Sequence, residues 1–375
     1  MITASPQDNR TPRIVMHIDF DYFFAQCEEI RNPSLKTKPV VVCVFSGRTE
    51  DSGVVSTANY VARKYGAKSG IPIKLAKARL AAVADTIFLP LDSSYYSKVS
   101  DAAMSVIESH VEKMEHGGID ECYIEVSEGK RNMEAAIALA HEIRAEVRSE
   151  TKLTCSVGVA PNKLIAKIAS DMNKPDGLTV VEPDAAAYAI SALRVDAIPG
   201  IGPKTAARLL EMRTETVGQL ANIDLFKLVE MFGRKTGTYI HNAARGDDDS
   251  PVIDSEERKQ ISRIVTLKND ADTSAEMYDD LYSLCQSVLE KAAGKSLSFR
   301  TVGVMLILDN LDQVSRSKSL KFHSTDLESL RTTARSLLDE AMAGPERVKV
   351  RRLGVHLSDL QKSTGQNTMS EFMNG

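Results

Sequence analysis

Hydrophobic periodicity changes character along this chain, and its last section constrains the fold most. Beyond residue 259 the sequence reads strand (Gln260–Lys268), helix (about Ser274–Ala293), strand (Thr301–Leu308), strand (Gln313–Phe322), helix (Asp326–Ala343) and strand (Val348–Leu357). That order, βαββαβ, is the ferredoxin-like arrangement, whose helices cover one sheet face and leave the other free. From about Pro183 to Gly246 the pattern is wholly helical, with glycines in the turns of "IPGIGPK" and "FGRKTG", which predicts a small all-α module. Between the two, "GDDDSPVIDSEER" (Gly246–Arg258) is acidic, polar and poor in core residues, the composition of a linker.

The first half interleaves strands and helices without a strict βαβ repeat, so a mixed sheet is expected. Arg13 to Asp21 alternates, with Ile14, Met16, Ile18 and Phe20 on one side and Val15, His17, Asp19 and Asp21 on a polar side. A helix is predicted through Ala25–Ile30, a buried strand in "KPVVVCVF", a helix in "TANYVARKYG" closed by Gly66, and helices over 74–83 and 93–114. "GGIDECYIEVS" gives a second alternating strand. Residues 132–150 are helical, "LTCSVGVA" is a strand and "NKLIAKIASDM" a helix. The class is therefore α+β and multidomain.

Composition narrows the setting without naming a partner. Hydrophobic content of 43% and charged content of 26% are ordinary for a globular chain, and no apolar run is long enough to span a membrane. Five scattered cysteines with no CxxC pair argue against a disulfide framework or a zinc site and point to a reducing cytoplasm. A net charge of −4 neither announces nor excludes a nucleic-acid binder, since basic residues can be confined to one groove.

Asp19 and Asp21 close the first strand, and Asp120 and Glu121 sit at the glycine-rich turn before another. Two strand ends meeting would gather three or four carboxylates, which repel unless a cation sits among them. A pair of Mg²⁺ ions would relieve this and leave positions for phosphate oxygens. A polar strand end and a solvated turn would account for the same acids taken alone. Thr57, Tyr60 and Arg63 fall within about two turns of a predicted helix, a hydroxyl, a phenol and a guanidinium suited to a triphosphate. Lys174, held before Pro175 in "MNKPDG", is a further phosphate candidate. "AAGKS" (Ala292–Ser296) is not a P-loop, because Leu289 stands where the first glycine is required.

"HIDFDYFFAQCEE", "KPVVVCVFSGRTEDSGVVSTANYVARKYG", "IDECYIEVS", "SVGVAPNKLIAKIASDMNKPDG" and "IPGIGPKTAARL" together resemble a Y-family DNA polymerase of the DinB type, in its archaeal form. The resemblance runs in order from about residue 14 to 358. It implies a right-hand polymerase: an extension (1–12), a palm (13–30 and 91–182), fingers (31–90), a helix-hairpin-helix thumb (183–246), a linker (247–258), a little finger (259–360) and a tail (361–375). It implies that Asp19, Asp120 and Glu121, with the carbonyl of Phe20, hold two Mg²⁺ ions. Thr57, Tyr60, Arg63 and Lys174, with the amides of Tyr22 and Phe23, would hold the incoming dNTP. Phe24 falls at the steric gate under the sugar, Val54 at the roof, and His17 is read as structural. The implied activity is template-directed, error-prone synthesis past damaged bases, without a 3′–5′ exonuclease.

Three positions depart from the family's usual pattern, one of them Phe24, which replaces the tyrosine often seen at the gate and, being equally planar, should keep sugar selection. Gly118 replaces a serine, and Cys122, beside the metal carboxylates, is expected to be sensitive to oxidation.

"PGIG" (Pro199–Gly202) followed by Pro203 is a helix-hairpin-helix signature in which Gly200, Gly202 and Lys204 would meet a DNA phosphate. In the last module Arg263, Arg300, Arg316, Lys318, Lys321 and Arg351 lie on strands while acids gather in helices, which predicts a basic sheet face along a duplex. In the tail, Gln366, Met369, Phe372 and Met373 have the spacing of a sliding-clamp peptide. A monomer is expected. The rival readings are a catalytically inert primer–template binder, which intact Asp19, Asp120 and Glu121 argue against, and a nucleotidyl cyclase, which has no use for DNA-holding modules.

Overall fold

A computed structural model describes residues 13–126, 132–254, 260–343 and 349–363. The chain divides into two units, Met1–Val44 with Val54–Ser255, and Phe45–Gly53 with Glu256–Gly375. The first begins with β1 (Val15–Phe20), α1 (Phe23–Arg31), β2 (Val40–Phe45), β3 (Gly53–Ala58), α2 (Tyr60–Arg63), α3 (Ile73–Leu80), β4 (Ile87–Pro90) and α4 (Ser93–Glu108). It continues with β5 (Met114–His116), β6 (Glu121–Glu125), α5 (Met133–Thr151), β7 (Cys155–Ala160), α6 (Lys163–Met172) and β8 (Leu178–Val180). Helices α7 (Ala186–Ser191), α8 (Pro203–Glu211), α9 (Val217–Ala221) and α10 (Leu225–Ala243) complete it.

β1 is the middle strand of a five-stranded sheet ordered β5-β6-β1-β7-β8, antiparallel except for the β7–β8 pair. Met16, Ile18 and Phe20 enter one core with α1, α4 and α5. The opposite face, expected to be polar, is covered as well: Val15 joins a second core with Leu164, Ile165, Ile168 and the helices of 186–243, and His17 is fully buried. Gly158 makes that cover possible. A β-carbon there would lie 2.0 Å from the Ala166 carbonyl oxygen and 2.6 Å from the Ser170 nitrogen, so only glycine lets α6 sit this close to β7.

The small sheet β3-β2-β4 corrects one expectation. "TANYVARKYG" is not one helix: β-branched residues extend β3 through Thr57 and Ala58, and the helix is only Tyr60–Arg63. Asn59 sets the break, its side-chain oxygen accepting from the Ala62 amide at 3.0 Å. α4 likewise ends at Glu108, and Met114 belongs to a strand. The acidic segment after Gly246 is also less linker-like than its composition: Val252 is fully buried, Asp248 accepts from the Leu164 amide at 3.0 Å, and the Ile253 amide donates to Glu115 at 2.8 Å. Residues 255–259 lie outside the described residues.

The second unit has β9 (Gln260–Ala271), α11 (Tyr278–Ala293), β10 (Leu297–Leu308), β11 (Gln313–Ser324), α12 (Leu327–Met342) and β12 (Val350–Lys362), the βαββαβ order, in an antiparallel sheet ordered β11-β10-β12-β9. Leu281, Val288, Leu330 and Leu337 of the helices pack on Phe299, Val304, Leu306 and Val355. β12 runs past the expected tail boundary, and the Ser363 amide donates to the Ser296 carbonyl at 2.7 Å.

Candidate active site

Asp19 and Glu121 are registered partners across β1 and β6, so their carboxylates leave the sheet on the same side. Asp120 joins them because the Phe20 amide donates to its carbonyl at 2.8 Å, while the amides of Gly117 and Gly118 fold back onto the Glu121 carbonyl at 2.9 and 3.1 Å. α6 supplies cations to this row. Lys167 pairs with Glu121, and Lys174, just beyond the helix, lies 2.7 Å from both Asp19 and Asp171.

The carboxylates differ in character. Burial raises Asp19 to about 6, against the pull of Lys174 and with a push from Asp120. Burial, then the charge of Glu121, also raises Asp120. Lys167 beside Glu121 holds its carboxyl below the usual carboxylate range, against its burial. Burial lowers the His17 imidazole, leaving a neutral ring. Its Nε2 lies 3.3 Å from Glu121 Oε2 with no hydrogen bond formed. Ligand atoms of His17, Asp19 and Glu121 lie within 4.8 Å of one another, so this donor set fits a divalent cation.

Asp21 is not part of this group. Its fully buried carboxylate accepts from Thr154 Oγ1 at 2.8 Å, Ser156 Oγ at 2.7 Å and the Asp176 amide at 2.8 Å. It ties β1 to the turn that carries Lys174.

The residues read as nucleotide contacts converge. Tyr22 and Tyr60 meet edge to face at 5.2 Å, and the Arg63 guanidinium lies 5.0 Å over the Tyr60 ring. Arg63 Nε donates to the Ala58 carbonyl at 2.8 Å, with Thr57 Oγ1 at 3.5 Å. Tyr22 sits in left-handed backbone (φ 36°) as the N-cap of α1, so the first amides of that helix have no preceding carbonyl to satisfy them. The Phe23 side chain is buried in the core. The half-buried Phe24 ring stacks on the buried Tyr96 at 4.8 Å, and Tyr96 donates to Glu28 at 2.8 Å.

Comparison with known proteins decides the family. Residues 18–171 match the impB/mucB/samB family, residues 258–369 its C-terminal domain, and residues 196–248 the thumb domain of DNA polymerase iota. DNA polymerase IV of Nitrosopumilus maritimus is 47% identical over 96% of this chain and 99% of its own length. DNA polymerase IV of Saccharolobus solfataricus is 38% identical over 94% and 98%. A solved chimeric Y-family polymerase of Dbh and Dpo4 superposes with a TM-score of 0.84 at 35% identity, covering 92% of this chain and 98% of that one. The chain belongs to the DinB-type Y family of DNA polymerases.

Within that family frame, the DNA-holding residues fare unevenly. Gly200 occupies positive-φ backbone (φ 86°) against Tyr239, whose hydroxyl donates to the Pro199 carbonyl. Gly202 caps α8 at an ordinary φ with open space around it, and Lys204 is exposed. The basic sheet face is a correction. Val355, Val304 and Val302 face the helices, and their registered partners are Arg263, Arg316 and Lys318, which therefore stand on the helix side of the edge strands. Arg316 pairs with Glu340 of α12 at 3.2 Å. The opposite face presents Ser262, Thr266, Thr301, Ser315, Ser317 and His356, with Arg352 registered beside Thr266, so it is mostly hydroxyl-bearing. Arg300 pairs with Asp359 at 2.5 Å, Arg351 lies 3.7 Å from Asp270, and Lys321 is exposed. Gln366, Met369, Phe372 and Met373 lie outside the described residues. Cys122 is also corrected: it points into the core, fully buried, and burial raises its thiol far above the ordinary range, which makes it inert.

Lys167, Ser170 and Tyr96 were missed as site residues. The helical spacing of Lys167, Ser170, Asp171 and Lys174 was the available signal.

Proposed function

We propose the following division of labour in what is, by family, a DNA-directed DNA polymerase of the translesion type. Asp19, Asp120 and Glu121, with the Phe20 carbonyl, would hold two Mg²⁺ ions. When bound, such ions lower the pKa of a primer 3′-hydroxyl and stabilise charge on the α-phosphate as pyrophosphate leaves. Lys167 fixes the rotamer of Glu121. Lys174 exchanges Asp19 for a phosphate oxygen of the dNTP, and Arg63, oriented by the Ala58 carbonyl, grips further oxygens in its planar fork. Thr57, Tyr60 and the free amides at the start of α1 complete the anion cradle. Phe24, braced from below by Tyr96, forms the floor of the sugar and excludes a 2′-hydroxyl.

Primer–template DNA lies along the thumb turn at Gly200–Lys204 and the last module, with the protein acting as a cytoplasmic monomer. The tail docks a sliding clamp, and clamp-stimulated synthesis undiminished by removing residues 364–375 would remove that role.

The observation that carries the reading is the cross-strand Asp19–Glu121 pair beside Asp120. Primer extension with Mg²⁺ and dNTPs on undamaged and abasic templates tests it. The wild type should extend across both, and Asp120→Ala should lose at least 10³-fold in rate, the order expected when a metal ligand is removed. Tight DNA binding without extension by either protein would replace the polymerase with an inert primer–template binder.

A further inference from the structure

His17 carries an unused lone pair aimed at the carboxylates. Its Nδ1 lies 2.8 Å from Ser170 Oγ, and that hydroxyl donates its proton to the Lys167 carbonyl at 2.8 Å. A hydroxyl has one proton, so Ser170 accepts from His17, and the hydrogen-bond pattern assigns the ring proton to Nδ1. The bare nitrogen is then Nε2, which is buried, has no hydrogen-bond partner and faces Glu121 Oε2 at 3.3 Å. Two acceptors at that distance repel unless they share a cation.

We propose that His17 Nε2, Asp19 and Glu121 form a site for one first-row transition ion of the Zn²⁺ or Mn²⁺ class in the nucleotide-free protein. Imidazole nitrogen with two carboxylates is a donor set that such ions prefer and Mg²⁺ does not. Tetrahedral ligation at about 2.0–2.1 Å separates ligand atoms by about 3.3 Å. The His17–Glu121 distance already matches, and the whole set spans no more than 4.8 Å. Ser170 is the partner that fixes the ring and its tautomer, as the outer hydrogen bond does for metal-bound histidines. Binding displaces Lys167 from Glu121 and Lys174 from Asp19, so the ion takes over charge that the two ammoniums now balance. Asp120 is not among the three ligands.

The inference shares Asp19 and Glu121 with the catalytic reading but does not depend on it. The test uses the full chain without DNA or nucleotide. Zn²⁺ is titrated against a chromophoric chelator, and Mn²⁺ bound to the protein is examined by pulsed electron paramagnetic resonance for nitrogen coupling. We expect one Zn²⁺ per chain, binding weakened at least tenfold in His17→Gln, and unchanged within twofold in Asp120→Asn, whose primer extension fails. Nitrogen coupling to Mn²⁺ is expected in the wild type and absent from His17→Gln. Equal Zn²⁺ affinity in wild type and His17→Gln, or bound Mn²⁺ without nitrogen coupling, overturns the site. If His17→Gln does not fold, the wild-type coupling decides alone. Loss of extension in Asp120→Asn with Zn²⁺ binding retained separates this site from the catalytic assignment, whichever of the two fails.

Discussion

Asp21→Ala removes a buried carboxylate that three donors share, the hydroxyls of Thr154 and Ser156 and the Asp176 amide. The hydroxyls are free to rotate towards other acceptors, although the Gly177 amide 3.3 Å from Ser156 Oγ is itself a donor and offers none. The Asp176 amide cannot turn. Hydrogen bonds to a charged group contribute roughly 1.5–3 kcal/mol, and a stranded buried donor costs about 1–3 kcal/mol. Relief of the desolvation of the carboxylate offsets part of this, leaving a loss of about 3–5 kcal/mol. For a unit of this size each kcal/mol moves the Tm by about 2–4 °C, so the first unfolding transition should fall by about 6–20 °C.

Asp21→Asn keeps one acceptor and should lose about a third of that. The loop carrying Lys174 hangs on the same carboxylate, so the KM for dNTP should rise several-fold in Asp21→Asn with a smaller change in kcat. Divalent-ion affinity should stay within twofold of wild type, because every oxygen of Asp21 already has a partner. Differential scanning calorimetry, steady-state primer extension and Mn²⁺ binding on one preparation measure all three. An Asp21→Asn protein with unchanged Tm and lost Mn²⁺ binding would refute the reasoning and make Asp21 a ligand.

The remaining predictions are simpler. Gly158→Ala forces a β-carbon into the α6 backbone, and displacement of that helix should lower the Tm by about 10 °C and separate Lys167 and Lys174 from the carboxylates; an active, equally stable variant would show that α6 tolerates the shift. Asp19 titrates near pH 6, and its protonated form cannot bind a cation, so divalent-ion affinity should fall as pH drops through 6, about tenfold per unit below it, and hold above. Glu121, held low beside Lys167, stays ionised throughout, so a flat affinity between pH 7 and 5 would contradict the burial of Asp19. Phe24→Ala opens the space above Tyr96 and should raise ribonucleotide insertion by at least tenfold relative to deoxyribonucleotide, measured as the ratio of kcat/KM; an unchanged ratio assigns discrimination elsewhere.

The parts of this protein legible in the sequence are those where chemistry and periodicity coincide. The βαββαβ order of the last module follows from alternating apolar residues bounded by turns, and the carboxylates stand at strand ends where acids are otherwise costly. What escaped reading depends on the third dimension. Periodicity marks one side of β1 as polar but does not report that a helix is laid over it. Asp21 looked like a fellow of Asp19, and only the contacts of Thr154, Ser156 and Asp176 separate an anchor from a ligand. Arg316 and Lys318 sit two apart, which places them on one face, but the valines paired with them assign that face to the helices.

Helix α6 shows how the carboxylates are held beside one another. Its apolar residues Leu164, Ile165, Ile168 and Ala169 bury against the sheet, and Lys167, Ser170 and Asp171 share the turns between them, with Lys174 one step beyond. Glu121 and Asp19 are thus each met by an ammonium, and Lys174 also serves Asp171. A hard divalent ion must exchange with these lysines rather than fill a bare anionic hole, so its net gain is the difference between two favourable arrangements and is correspondingly small. That difference grows when a triphosphate is present, because Lys174 then has another anion to hold and the surplus positive charge has a partner. A nitrogen-seeking ion has a further source of gain, the idle His17 lone pair, which Mg²⁺ uses poorly. Nucleotide dependence of binding should therefore be steep for Mg²⁺ and shallow for Zn²⁺, and the two dependences measured on one protein separate charge exchange from ligand chemistry.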